Sequence, residues 1–92
     1  MARRSVEIAE RFSSQARDLP GSTLAVTAAK LALEYEEDLR IYQLIQETPS
    51  GPMRALKTLH LTAHAPFVIY FTVGPTGTVR MAAILPAEPD GG

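Results

Sequence analysis

Phe67-Val68-Ile69-Tyr70-Phe71-Thr72-Val73 carries no charge and is built almost wholly of β-branched and aromatic side chains. Both alternate sets of positions are apolar, which is the pattern of a strand buried in the middle of a sheet. Gly74-Pro75-Thr76-Gly77 follows with turn chemistry over a hairpin-length connection, and Thr78–Leu85 is predicted to return antiparallel. On the other side of the run, Met53–Ala63 alternates with period two. Met53, Ala55, Leu59 and Leu61 take one face, and Arg54, Thr58, His60, Thr62 and His64 take the other. The C-terminal half therefore reads as a three-stranded antiparallel meander.

Before Pro49-Ser50-Gly51-Pro52 the period changes to 3.6. Leu24, Ala28, Leu31, Tyr35, Leu39, Tyr42 and Ile45 fall on one stripe, predicting a helix over Thr23–Glu47 that turns this stripe, with Tyr35 and Tyr42, to the core. Ser22 is placed to cap its start, and Glu34, Glu36, Glu37 and Asp38 read as a solvated acidic face. Before Pro20-Gly21, the spacing of Ile8, Phe12, Ala16 and Leu19 predicts a helix over Glu10–Leu19. Val6 and Ile8, alternating with Ser5 and Glu7, predict a short strand over Ser5–Ala9. Two helices joined by so short a break fold back as a hairpin. The class is α+β: a short N-terminal strand joining the sheet, a helical hairpin, then the meander, with the helices packed on one face. The 92 residues make one domain, with about 86–92 as a flexible tail.

Composition narrows the function. A hydrophobic fraction of 46% with 21% charged residues is globular rather than disordered. Nine basic against ten acidic residues, a formal charge of −1, remove the basic footprint of a non-specific nucleic-acid binder. With no cysteine there is no disulfide scaffold, thiolate metal site or cysteine nucleophile. No apolar run reaches the ~18–20 residues of a membrane span, and the charged start lacks the apolar core of a secretory signal. The expected address is the cytoplasm, without a membrane partner.

The candidate catalytic side chains are His60, His64, Arg54 and Arg80. On a strand, His60 and His64 are separated by roughly 13 Å, too far for one metal ion with ligand bonds of ~2.0–2.1 Å. No metal or cofactor site is therefore expected. Arg54, Thr58, His60 and His64 can instead share a polar sheet face, joined by Arg80 if strand register allows, and such a face can hold phosphate or exchange protons near pH 7. The bland alternative is a wetted outer surface. A nucleophile elbow, a phosphate loop and a dinucleotide fingerprint are all missing, and the acidic run has no histidine or cysteine beside it to suggest more than a weak calcium or magnesium site.

Several phrases resemble the RelE/ParE toxin superfamily of bacterial toxin–antitoxin modules. Ser5-Val6-Glu7-Ile8-Ala9-Glu10-Arg11-Phe12 is similar to its opening strand and first helix, and Phe67–Val73 to its central strand, with Tyr70 at the recurrent tyrosine. Gly77–Leu85 is similar to the closing strand, and Asp90 falls near a common acidic end. Where the family places basic residues around the tyrosine this chain has Phe67 and Phe71. Basic and histidine positions in and after the closing strand hold Ala83 and Pro86. The resemblance thus implies a toxin of the gyrase-directed ParE-like branch, or a degenerate one, partnered by an antitoxin and acting through binding. A RelE-like ribosome-dependent mRNA endonuclease is one alternative. Another, from the residues alone, is a non-enzymatic α+β module that forms a homo-oligomer through its sheet.

Overall fold

The structure, a computed structural model, describes residues 3–58 and 67–87. Strand β1 (Val6–Ile8) leads into helix α1 (Glu10–Arg17) and helix α2 (Ser22–Tyr35), followed by a 3₁₀ turn at Leu39–Ile41. Among the described residues four strands follow: β2 (Gln43–Thr48), β3 (Gly51–Lys57), β4 (Phe67–Val73) and β5 (Val79–Pro86). The sheet order is β1-β5-β4-β3-β2, with β1 parallel to β5 and the remaining neighbours antiparallel. The class is α+β, as the sequence implies, with one strand more in the meander. The strand Met53–Ala63 is observed as Gly51–Lys57; residues 59–66 lie outside the described ones, and β5 reaches Pro86, the first residue of the expected tail.

Helix α1 opens on Glu10 and closes on Arg17, charges that suit the polar ends of a helix. It buries Phe12. Gly21, at φ +80°, then takes the left-handed turn that glycine adopts without a Cβ penalty. Ser22 does not cap as expected. It is the first residue of α2, and its hydroxyl donates to the Ala16 carbonyl at 2.8 Å, an oxygen that also accepts from Leu19 N–H at 3.1 Å, so the hydroxyl ties α2 to the end of α1.

The long helix over Thr23–Glu47 is corrected in length and in orientation. It stops at Tyr35 because its last carbonyls are taken by a distant side chain: Arg4 Nη1 donates to Leu33 O at 2.7 Å and to Glu36 O. Downstream, Asp38 N–H donates to Glu36 Oε1 at 3.1 Å, and Asp38 Oδ1 accepts from Arg40 N–H at 3.0 Å. Such local side-chain bonds compete with the helical ladder and fold Glu36–Ile41 into a turn. The chain then re-enters the sheet as β2, with a register shift between Leu44 and Gln46. The buried side of α2 is Ser22, Ala25, Ala29, Leu33 and Glu34, not the leucine stripe: Leu24, Leu31 and Tyr35 are half exposed.

Ala25, Ala29 and Leu33 join Phe12 and the inward residues of the sheet, among them Leu56, Ile69, Phe71, Val79, Met81 and Ile84, in one core. At the other end of the meander, Gly51 (φ +116°) begins β3 against the end of β4. A Cβ there would overlap the Val73 carbonyl oxygen, so only glycine closes this corner.

Candidate functional site

Register sorts the sheet into two faces, because directly paired residues point the same way. Toward the helices lie Ile84, Ile69 and Leu56 in one row, and Met81, Phe71, Arg54 and Leu44 in the next. The opposite face has Tyr70 at its centre, flanked by Ala83 and Ala55. Beside this row run Glu7, Arg80, Thr72, Met53 and Gln46; on the other side run Leu85, Val68 and Lys57. Both helices pack on the inward face, and among the described residues no element covers the outward one.

Arg54 and Arg80 therefore do not converge. Arg54 pairs with Phe71 and Arg80 with Thr72, adjacent residues of β4 that face opposite ways. Thr58, expected beside Arg54 on a wetted face, has no exposed surface, and its hydroxyl accepts from Phe67 N–H at 2.9 Å. His60 and His64 lie outside the described residues. Arg54 has a local role: Nη1 donates to the Tyr42 carbonyl at 2.9 Å, tying β3 to the start of β2. The Tyr42 ring stands edge-on to Phe71 with centroids 5.6 Å apart, a favoured aromatic geometry. Burial, and secondarily the Glu36 carboxylate, push the Tyr42 phenol upward.

The acidic run is not a solvated helix face. The Glu34 side chain is only 5% exposed and meets Lys30 Nζ at 2.8 Å and Arg3 at 3.6 Å. The hydrogen bond from Lys30 holds its carboxyl below the usual range, with Arg3 assisting and burial opposing. Asp38 is lowered by its bonds from Arg40, and Glu36 is occupied by the Asp38 N–H. Among the described residues no three histidine, aspartate or glutamate side chains converge as metal ligands.

No family model matches the chain, and no curated protein matches it. Among solved structures it is similar to a chain of the intact E. coli RelBE toxin–antitoxin complex, with 16% identity, a TM-score of 0.60, and coverage of 94% of this chain and 99% of that one. The fold is RelE-like. In a RelE-like fold with these residues, the outward sheet face offers a tyrosine, small and apolar neighbours, and Arg80, Lys57 and Glu7 toward its margins. That set suits adhesion: aromatic and aliphatic area at the centre with charges at the rim.

Two further surfaces belong to the same frame. A groove of about 290 Å³ runs between α1 and α2, with Ile8, Phe12 and Val26 lining it together with Ser13, Arg17 and Thr27. The sheet's edges differ. At the β1 edge, Gln15 Oε1 accepts from Ile84 N–H at 3.0 Å where β1 has ended, and Pro86 has no N–H to offer. Strand β2 is exposed along nearly its whole length, Leu44 and Ile45 included. The roles of Arg4 and Gln15 escaped the sequence because their partners stand 29 to 69 residues away.

Proposed function

We propose that this chain is the toxin component of a type II toxin–antitoxin module, ParE-like or degenerate, which works in the cytoplasm by holding protein partners rather than through a catalytic set. The RelE-like fold carries this reading, since the solved chain that shares it comes from a toxin–antitoxin complex. The chemistry of the open face supports action by binding. Its described charged residues are Glu7, Arg80 and Lys57, too few and too dispersed to stabilise a phosphoryl transition state or to dock ribosomal RNA. An antitoxin segment would find two receptive features, the groove between α1 and α2 for an amphipathic helix and the β2 edge for an added strand.

Co-expression with the small protein encoded beside this chain tests the reading. The expected result is a stoichiometric complex that survives purification. A chain that purifies alone, while its neighbour is soluble and abundant, contradicts it. DNA gyrase is the target expected of the ParE-like branch. Loss of translation, with supercoiling unchanged, would transfer the chain to the ribosome-dependent mRNA endonucleases.

A further inference from the structure

Helix α2 has more apolar surface than one core can cover. Of its 14 residues only Lys30 and Glu34 are charged. Its inward side is spent on the sheet, yet Leu24, Leu31 and Tyr35 remain 57%, 51% and 49% exposed on the far side, with Ala28 between them. A helix apolar on both sides is built to be covered on both. The outward residues fall at steps of four, three and four, the spacing of a coiled-coil seam.

We propose that this stripe is a self-association surface that pairs antiparallel with α2 of a second copy. Size complementarity points to a second copy: an antiparallel pair centred between Ala29 and Lys30 sets the small Ala28 opposite the large Leu31, twice, and Leu24 opposite Tyr35. Charge favours the same orientation. The first turn of α2 has no acidic residue and its last turn no basic one. Antiparallel pairing brings the exposed Glu37 of each copy beside the N-terminus of the other α2, near Arg17, which borders the same groove as Thr23. The helix dipoles then oppose each other. Parallel pairing would set the two acidic segments side by side. The inference rests on the exposure and spacing of α2 and does not depend on the toxin reading.

Sedimentation at micromolar concentration is expected to give twice the 10.0 kDa mass of one chain. Leu31→Glu should weaken the dimer at least tenfold while leaving the far-ultraviolet dichroism unchanged; Leu44→Glu, on the β2 edge, should leave the dimer intact. Because the chain has no cysteine, a mixture of Ala28→Cys and Leu31→Cys proteins reports orientation without a charge buried at the seam. The two should cross-link to each other faster than either does to itself. A wild-type protein with the mass of one chain would overturn the proposal and leave the stripe to some other helix. So would a dimer indifferent to Leu31→Glu, or cross-linking with no preference for the mixed pair.

Discussion

Leu31 and Leu33 sit two positions apart on α2 in different surroundings: Leu33 has no exposed surface, whereas Leu31 keeps half of its own. The side containing Leu33 is otherwise small, with Ala25 and Ala29 at 2% and 0% exposure. Alanines let the helix backbone approach the sheet, and with Leu33 they share one core with Ile69, Phe71 and Val79. Dispersion falls off steeply with any gap, so a close fit outweighs the larger apolar area of the leucine side. Hydrophobicity thus proposes two faces for the core, and shape selects between them.

The largest expected effect is Leu33→Ala, which opens a cavity in the core and should destabilise the fold by about 2–5 kcal/mol in urea unfolding. Ala29→Leu should cost about 1–3 kcal/mol, because the added methylenes force the helix off the sheet; a neutral result would mean that close approach is not what orients α2. At the border between the faces, Glu34→Gln should act through pH. The folded-state carboxyl is lowered by Lys30, so its stabilisation is present above the ordinary value of 4.5 and is lost as pH falls through the folded value. The gap in urea midpoint between wild type and variant should therefore narrow on acidification. The smallest effect belongs to Leu31→Ala, which in dilute protein should stay within about 0.5 kcal/mol of wild type. Equal losses at Leu31 and Leu33 would erase the distinction between the faces.

How far the sequence could be read follows from where each signal resides. The central hairpin was legible because Phe67–Val73 and Val79–Leu85 carry strand chemistry on both sides of a Gly-Pro turn. The start of α1 was also legible. The end of α2 was not, because Leu39 and Tyr42 continue the helical spacing while packing from a turn. The bonds that stop the helix come partly from Arg4, far away in sequence. The orientation of α2 was hidden because both of its sides are apolar. For the candidate site, the opposition of Arg54 to Met53 and Ala55 followed from simple alternation. The separation of Arg54 from Arg80 needed the register across β3, β4 and β5, which no local pattern encodes.

Regulated expression of this chain alone in growing bacteria, with protein synthesis and plasmid supercoiling followed together, tests the toxin reading most directly. The account predicts growth arrest with altered supercoiling, relieved when the neighbouring protein is expressed too. Normal growth with abundant soluble protein would contradict an active toxin and leave only a degenerate one or a homo-oligomeric binding module.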